Sequence, residues 1–472
     1  MASTPTRRTF IRRTAMLIGL APFLGSCESC FERIRSRPIR RSLATLSDND
    51  SIIETYRDAV AAMKALPSTD GRSWTRQAQI HQDHCPHGNW WFLPWHRAYL
   101  NAFEQICRDL TGNEDFALPY WDWTVNSSVP APFWGDATNA LFQSGRTATS
   151  SSTANPAMVG RPEIDSILDE TDFFMFASGA ATTQGQFATY GRLEATPHNY
   201  VHGFVGGIMG TYDSPLDPIF WMHHNMIECL WVEWNIVRGN ANTSDTAWTN
   251  FNFAGNFFDT VGSPFDIQVG TTLLVPLLSY QFDGECGGAG GTARMRAALA
   301  DTAALRAFLA EGGAPRIQVA QRFPFQEQLL LTTRAPVSAR LPVDTQAVNA
   351  AIQRTGVERL LLRVEDVTPP RTESFFVRVF VNMPDASPAT PIDDPHYAGS
   401  FAFFTDPGHR TDGPMGAYIV DISETLRRLN ATQPAAAVDV QLVASPLHEA
   451  VPADDNLVIR GMALELARVL EQ

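Results

Sequence analysis

Residues 81–100 read HQDHCPHGNWWFLPWHRAYL, and this histidine- and tryptophan-rich stretch decides what the rest of the chain must build. A second group of histidines lies in EATPHNYVHG, residues 194–203, and in DPIFWMHH, residues 217–224. These three segments hold eight of the chain's 11 histidines, although the chain has 472 residues. The grouping predicts two sites of three imidazoles each. The candidate ligands are His81, His87, His96, His198, His202 and His224.

Spacing shows which histidines can share an ion. His198 and His202 are four residues apart, so on a helix both rings lie on one face, one turn apart. His223 and His224 are adjacent and would point about 100° apart, so only one of them can join that pair. Imidazole binds copper, zinc, iron and nickel, so the ligand type alone does not choose the metal. The His-Glu-x-x-His pattern of zinc proteases does not fit these segments.

These segments resemble the type 3 copper proteins, which include tyrosinases, catechol oxidases and molluscan oxygen carriers. CPHGNWWFLPWHRAYL at 85–100 is similar to the family's first copper motif, and DPIFWMHH at 217–224 to its second. The resemblance implies two copper ions and O2 as co-substrate. It assigns copper A to His81, His87 and His96, and copper B to His198, His202 and His224. His84 has no place in that ligand set, and His223 is expected to border the pocket.

The resemblance also implies roles for Glu194, Asn199 and Cys85. Glu194 is similar to a glutamate that holds a water near copper B, and Asn199 to an asparagine that helps to orient this water. Together they would accept a phenol's proton, a form of general-base assistance. Cys85 matches a cysteine that many members join to the following histidine, here His87, through a thioether. The alternative for Cys85 is a buried free thiol.

Four positions depart from the family pattern. Met226, Glu228 and Cys229 stand where the family usually has Asn, Asp and Arg. Glu228 keeps the charge but moves the carboxylate by one methylene, so the surroundings of copper B are expected to be rearranged. Thr211 stands where the plant enzymes carry a bulky aromatic gate. A small residue there predicts an open substrate entrance on that side, bordered by His223, unless another segment closes it.

The apolar spacing predicts a mainly α-helical catalytic domain at 42–285, with helices over 51–66, 96–110 and 217–237. Long loops rich in Pro, Gly, Ser and Thr are predicted at 124–160 and 240–270. The resemblance implies that the helices form a four-helix bundle around a dicopper centre.

Residues 286–315 are predicted to form a flexible linker and an Ala-rich helix. Alternating apolar runs over 316–472 predict a C-terminal β-sandwich domain. This domain resembles the C-terminal domain of plant polyphenol oxidases, in FFVRVFVNMPDAS and HYAGSFAFF, where it can lie across the copper site and keep the enzyme latent. We hypothesise that an aromatic residue of this domain shields the active site; the alternative is a domain that serves stability alone.

The N-terminal segment 1–41 predicts where the protein works. TRRTFIRR contains Arg7 and Arg8, and the apolar run at 15–24 is too short to span a bilayer. This pattern is typical of a twin-arginine export signal and predicts a periplasmic or extracellular protein. LGSC, which ends at Cys27, resembles a lipoprotein cleavage box, so a lipid anchor on Cys27 and an ordinary peptidase cut both stay open. Membrane contact is expected only through the signal or this lipid.

Composition excludes some partners. Residues 1–41 contain nine Arg and two Glu, which leaves 27 Lys and Arg against 48 Asp and Glu in the remainder, a formal charge of −21. An acidic body of this kind makes nucleic acid an unsuitable partner. The six cysteines do not form a dense disulfide framework. Cys107 and Cys229 are expected as buried thiols, and Cys27 and Cys30 are candidates for a pair.

The resemblance and the export signal together imply an exported polyphenol oxidase acting on small phenolic substrates. It would oxidise o-diphenols to o-quinones and also hydroxylate monophenols at the ortho position, as a tyrosinase does. Two alternatives stay open: an o-aminophenol oxidase, which the same motifs support, and a non-catalytic oxygen-binding protein that uses the same site.

Overall fold

The structure, a computed structural model, has a helical part up to residue 283 and a strand-rich part from residue 316. It describes residues 37–283, 316–353, 357–370, 374–404, 415–429, 437–448 and 455–470. The predicted export signal with Cys27 and Cys30, and the 286–315 linker and helix, lie outside these residues.

Helices α1 to α11 belong to the helical part, and α12 and α13 to the strand-rich part. The helices are α1 Ser51–Ala65, α2 Trp74–His84, α3 Phe92–Thr111, α4 Pro156–Val159, α5 Arg161–Leu168, α6 Phe173–Ala177, α7 Asn199–Val205, α8 Ile219–Val232, α9 Thr246–Thr249, α10 Val269–Thr272, α11 Val275–Leu278, α12 Thr345–Gln353 and α13 Ser423–Arg428. The three predicted long helices are confirmed.

Five short strands lie in the helical part, and the longer strands form the C-terminal part. The strands are β1 Ile39–Arg40, β2 Thr189–Tyr190, β3 Asn252–Phe258, β4 Pro264–Gln268, β5 Gln281–Phe282, β6 Arg316–Phe325, β7 Leu329–Thr332, β8 Val337–Pro342, β9 Glu358–Thr368, β10 Phe375–Val381, β11 Tyr397–Phe401, β12 Ala417–Asp421, β13 Ala437–Pro446 and β14 Asn456–Leu470. The prediction of a loop over 240–270 is wrong, because β3 and β4 form a hairpin there. A register shift between Phe253 and Phe257 interrupts the alternation by which the hairpin could have been recognised.

Helix α8 is the centre of the helical part. All of its 14 residues are buried, as expected for a helix that is packed on every side. The ring of Trp221 on α8 stacks on Phe103 of α3, with centroids 3.4 Å apart and planes 11° apart. Helix α3 is followed by Gly112, whose φ of 66° is a conformation that glycine adopts without strain and that terminates the helix. The two helices that carry His96 and His224 are therefore held rigidly against each other.

A buried cluster of charged residues joins β1 to α3 and α8. Glu104 accepts hydrogen bonds from Arg40 Nε at 2.8 Å and Arg108 Nη2 at 2.5 Å, and Arg40 Nη1 also donates to Asn225 at 2.7 Å. The side chains of Arg40 and Glu104 are fully buried. Charges at this depth are tolerated only when they are paired and hydrogen-bonded.

The Glu104→Ala substitution is expected to lower the free energy of unfolding by about 3–5 kcal/mol, because it leaves the buried Arg40 guanidinium without its carboxylate. The control is Asp165→Ala, which breaks a pair with Arg161 whose side chains are 37% and 44% exposed, and it should cost less than about 1 kcal/mol. Denaturant unfolding of both variants measures the difference. Equal costs would contradict this account of the cluster.

The C-terminal part contains two sheets that enclose one apolar core, as the β-sandwich prediction requires. One sheet has the strand order β11-β10-β13-β8, and the other has the order β2-β12-β9-β14-β6, with β7 also paired to β14. Strand β2 belongs to the helical part, yet it pairs in parallel with β12. A strand of one domain thus completes a sheet of the other.

The contact between the two domains is apolar as well as hydrogen-bonded. Tyr190 of β2 stacks on Tyr418 of β12, with centroids 4.8 Å apart and planes 7° apart. Ala402 N donates to Ala195 O at 2.8 Å, and Arg359 pairs with the buried Glu170 at 2.6 Å. Apolar burial combined with strand pairing fixes the C-terminal domain against the helical one.

The described cysteines correct one prediction. Cys107 on α3 is a buried thiol, as expected. Cys229 on α8, expected as a buried thiol, is instead in a disulfide. A disulfide is typical of an oxidising compartment. No helix of the described residues is both long and apolar enough to pass through a bilayer.

Candidate metal centre

The first histidine cluster is formed by the end of α2, the following turn and the start of α3. Donor atoms of His81, Cys85, His87 and His96 all lie within 4.8 Å of one another. His81 Nδ1 is 2.7 Å from Tyr212 O, and His96 Nδ1 is 2.9 Å from Phe92 O. When the Nδ1–H of an imidazole donates a hydrogen bond to a carbonyl oxygen, the lone pair of Nε2 can coordinate a metal.

The second cluster lies on α7, on α8 and on the π-helical turn Glu194–His198 that precedes α7. Pro197 has no N–H for an α-helical hydrogen bond, which accounts for the wide turn. Within the cluster, His198 Nδ1 is 2.8 Å from Asn199 Oδ1, and His202 Nδ1 is 2.6 Å from Met209 O. The Nε2 atoms of both rings therefore face the other donor atoms of the second cluster.

The residues fit a bound metal. His202 Nε2 and His224 Nε2 are 3.2 Å apart, close to the roughly 3.3 Å between two nitrogens that share one tetrahedral ion at about 2.0 Å each. His198 Nε2 is buried and has no hydrogen-bond partner among the described residues. A buried acceptor of this kind is costly unless something binds it.

The protonation state of the rings also suits ligands. Burial first, and the neighbouring imidazoles second, lower the pKa well below its usual value in His87, His96, His198, His202 and His224. Neutral imidazole is the form that binds a metal. The donor set is thus imidazole-rich and contains no carboxylate, which suits copper better than magnesium or calcium.

The two clusters face each other at contact distance. The rings of His96 and His224 stack with centroids 4.1 Å apart and planes 11° apart, and those of His87 and His198 are 5.7 Å apart. Helices α3 and α8, held together by the Trp221–Phe103 stack, impose this arrangement. Two ions in these clusters would be close enough to act on one small molecule.

Glu194 is fully buried at the start of the π-helical turn that carries His198. Its Oε1 accepts a hydrogen bond from Gly88 N at 2.7 Å, and its Oε2 accepts one from the Ser178 hydroxyl at 2.6 Å. Burial raises the pKa of Glu194 to about 8, against the lowering effect of these two donors. Bound metal cations would favour its charged form. The carboxylate therefore links the turn after His87 to the turn that carries His198.

Asn199 links the second cluster to the C-terminal domain. While its Oδ1 faces His198, its Nδ2 donates to Ala402 O at 3.1 Å. The amide is fully buried, so both of its ends are fixed by protein partners. Sequence reasoning placed Asn199 near the water-holding glutamate but had no means of seeing this second contact.

Cys85 lies between two rings of the first cluster. Its Sγ is 3.5 Å from His87 Nε2 and 3.4 Å from His96 Nε2. Burial, and next the carboxylate of Glu194, raise the pKa of the thiol well above its usual value. The thioether to His87 stays a prediction; the observed contact brings the sulfur within reach of that ring.

Glu228 shows how the departure from the family pattern is accommodated. Arg97 Nε donates to both Glu228 oxygens, at 2.9 and 3.0 Å, and Tyr280 donates its hydroxyl at 2.6 Å. The Arg97 guanidinium also lies 3.4 Å from the centroid of the Trp231 ring. The Glu228 side chain, one methylene longer than the Asp of the family pattern, thus pairs with Arg97, the residue next to His96.

The position next to Thr211, where an open entrance was expected, carries an aromatic ring. Thr211 donates its hydroxyl to Ile208 O at 2.9 Å. Tyr212 instead stacks on His87, with centroids 5.0 Å apart and planes 29° apart. The bulky group is one residue beyond the position that the family pattern indicated, so sequence spacing missed it.

Phe404 of the C-terminal domain lies directly over both clusters. Its fully buried ring is 4.1 Å from His202, 4.9 Å from His87 and 5.4 Å from Tyr212, centroid to centroid. Phe404 follows β11, in the segment HYAGSFAFF. Sequence reasoning named an aromatic residue of this domain as a shield but could not say which one.

Three of the remaining histidines are placed as follows. His223 is buried, accepts Trp123 Nε1–H at Nδ1 at 3.3 Å, and stacks on His198. It also has a ring nitrogen within 4.8 Å of the donor atoms of the second cluster, so proximity alone does not exclude it as a ligand. His84 is outside both donor groups. His448 of the C-terminal part is half-buried, and its Nε2 lies 3.3 Å from Gly203 O.

Two protein families match the chain. Residues 58–160 and 130–236 match the family described as the common central domain of tyrosinase, a span that contains both clusters. Residues 336–458 match the family described as the chloroplastic polyphenol oxidase C-terminal domain, a span that contains Phe404.

Curated relatives agree with these matches. A tyrosinase of Streptomyces galbus is 34% identical over 223 residues, which are 41% of this chain and 78% of that protein. A tyrosinase of Hahella sp. (strain CCB-MM4) is 31% identical over 49% of this chain and 61% of its own length. The chloroplastic polyphenol oxidase A1 of Vicia faba is 28% identical over 52% of this chain and 48% of its own length. The chain thus spans about half to three fifths of the last two relatives.

Solved structures extend the likeness to the whole fold. A latent aurone synthase has a TM-score of 0.71 at 22% identity and covers 92% of this chain and 90% of its own. The latent apple tyrosinase has a TM-score of 0.65 at 20% identity and covers 91% of this chain and 97% of its own. At these identities the likeness shows a common fold.

Proposed function

The chain belongs to the tyrosinase family, and on this premise we propose that it is an exported polyphenol oxidase that uses two coppers and O2 to oxidise o-diphenols to o-quinones and to hydroxylate monophenols at the ortho position. The observation that carries the proposal is the facing pair of buried, imidazole-rich clusters, with His96 stacked on His224. Helices α2, α3, α7 and α8, or the turns beside them, bring the ligands together. On this proposal they are the four-helix bundle around the dicopper centre.

The protein's own part in the chemistry is position and proton transfer. When bound, the two coppers supply the oxidising power of O2 to the phenol ring. Glu194 begins the turn that carries His198, and Asn199 contacts the His198 ring, so both polar side chains adjoin the second cluster. A monophenol must lose its proton before it binds as phenolate, and Glu194 is the buried group placed to accept it, through a water oriented by Asn199.

The test is oxygen uptake by the copper-loaded chain with a catechol and the matching monophenol in parallel. Both substrates are expected to support uptake. The Glu194→Gln variant is expected to lose monophenol-driven uptake by about 10²-fold, because an amide cannot accept the proton, while catechol-driven uptake changes by less than about threefold. The catechol reaction is the internal control for copper loading.

Each other outcome changes the assignment. Uptake by the parent chain with catechol alone would leave a catechol oxidase and remove the proton-accepting role of Glu194. Uptake with o-aminophenol but with neither phenol would favour the o-aminophenol oxidase. Reversible oxygen binding without turnover of any of the three substrates would leave the oxygen-binding protein.

The same proposal includes export and a shield. Arg7 and Arg8 in the N-terminal segment and the disulfide at Cys229 both support a protein that functions outside the cytoplasm, which fractionation of producing cells would test.

Phe404 supports the hypothesis that the C-terminal domain shields the active site. Cleavage within 286–314 is expected to raise activity only when the C-terminal domain then separates, because β2 and the Tyr190–Tyr418 stack hold it in place.

A further inference from the structure

Ser178 has a backbone conformation that serine rarely adopts. It follows the last residue of α6 with φ 128° and ψ 159°, in a region that is open to glycine and strained for other residues. Asp366 and Asn382, the other described non-glycine residues with positive φ, have φ of 53° and 55°, near the left-handed helical region that Asp and Asn tolerate. Ser178 therefore stores strain that a glycine at the same position would not.

The hydroxyl is what serine adds over glycine at this position. Ser178 donates it to Glu194 Oε2 at 2.6 Å and accepts the Gly191 N–H at 2.9 Å. Ser178 is fully buried, so water does not replace either contact. Strained residues of this kind persist where the surrounding structure holds them, and they concentrate at functional sites.

The surrounding chain is shaped to hold this hydroxyl in place. A Cβ on Gly191 would lie 2.5 Å from Ser178 N and 2.6 Å from Phe176 O, so only glycine permits the approach. Gly179 N donates to Thr189 O at 2.7 Å, which ties the same turn to β2. With Gly88 N on its other oxygen, the Glu194 carboxylate is clamped from both sides.

We propose that Ser178 is a positioning residue that holds the Glu194 carboxylate in the orientation needed for monophenol hydroxylation. The inference rests on the proposed function, because it gives Ser178 a role only through Glu194. The hydroxyl forms hydrogen bonds with one carboxylate oxygen and one backbone N–H, and neither of these partners belongs to a histidine. Its loss should therefore affect the step that needs Glu194 and spare the oxidation of catechols.

The experiment uses the full copper-loaded chain and compares Ser178→Gly, Ser178→Ala, Glu194→Gln and the double variant S178G/E194Q. Ser178→Gly is expected to lose monophenol-driven oxygen uptake about ten- to hundredfold, the range that a misplaced catalytic group costs, with catechol-driven uptake within about twofold of the parent. In the Glu194→Gln background the same substitution should cause no further loss, because residues that act through one group are not additive.

The second readout is the melting temperature of the copper-free chain. Ser178→Gly should melt higher than Ser178→Ala, because both lose the hydroxyl and only glycine also releases the backbone strain. A purely structural serine would instead lower both reactions together and add its effect to that of Glu194→Gln.

Three results would overturn the inference. If Ser178→Gly took up oxygen with monophenol as fast as the parent while Glu194→Gln showed a clear loss, Ser178 would have no positioning role. The proposed function would be left intact. Parental monophenol uptake in Glu194→Gln would overturn the proposed function and Ser178's role with it. A Ser178→Ala variant that melts as high as Ser178→Gly would remove the strain on which the inference is built.

Discussion

Replacing Phe404 with alanine is expected to raise catechol-driven oxygen uptake by the intact, copper-loaded chain at least about tenfold. The Phe404 ring lies 4.1 Å from His202 and 4.9 Å from His87, in the space that, on the proposed function, a phenol would occupy to reach both clusters. A substrate can bind only to the fraction of molecules in which this ring is withdrawn, and its apparent affinity falls by that fraction. If docking favours the closed state by about 1.4 kcal/mol, the factor is about ten.

The gain should appear mainly in KM, because the substitution removes a competitor for the site and leaves the histidines and Glu194 in place. Steady-state oxygen uptake over a range of catechol concentrations separates KM from kcat. Tyr212 still covers His87 in this variant, so the gain need not reach that of a chain from which the whole C-terminal domain has been removed.

Phe403→Ala is the matched control. Phe403 is the preceding residue and equally buried, but its ring packs on Phe375, Phe401 and Tyr418 inside the C-terminal core. Loss of a buried phenyl from that core should cost about 3–5 kcal/mol of stability and leave the site covered. An equal gain in both variants would mean that loosening the domain, and not vacating the space of one ring, opens the site.

The two histidine clusters could be predicted from the sequence because each cluster is compact in the chain. His198 and His202 are one helical turn apart, and the copper motifs are long and rich in aromatic residues, so spacing and resemblance agreed. The long helices followed from their apolar period in the same way. Local patterns are visible in a sequence when the contacts that they encode are also local.

Tyr212, Phe404 and Ser178 could not be assigned because their roles depend on contacts between distant residues. Phe404 reaches His202 across about two hundred residues, and a single-residue displacement from Thr211 to Tyr212 hides the aromatic group over His87. Ser178 carries only a local signal: a Ser-Gly pair after an apolar run marks the end of a helix. Its contact with Glu194 comes from the close approach that Gly191 permits. Strand β2 is too short to show a period, and its partner lies in the other domain.

The adjacent histidines of α8 supply the second large effect, since His224→Ala is expected to remove one copper per chain and His223→Ala to retain both. His224 Nε2 lies 3.2 Å from His202 Nε2, whereas His223 Nδ1 accepts a hydrogen bond from Trp123. A bound metal that contributes about 4 kcal/mol to the transition state accounts for about 10³-fold in rate, so oxygen uptake by His224→Ala should fall by at least that factor.

The pair is a stringent comparison because the same side chain is deleted at neighbouring buried positions of one helix. Copper content per chain, measured on the folded variants, tests the ligand set directly, and oxygen uptake tests its consequence. His223→Ala should keep two coppers and lose less than about tenfold in rate, since it removes a ring that stacks on His198 and leaves the three donors of the second cluster. If His223→Ala instead released a copper, His223 would belong to the ligand set, and the 100° between neighbouring side chains on a helix would no longer separate the two histidines.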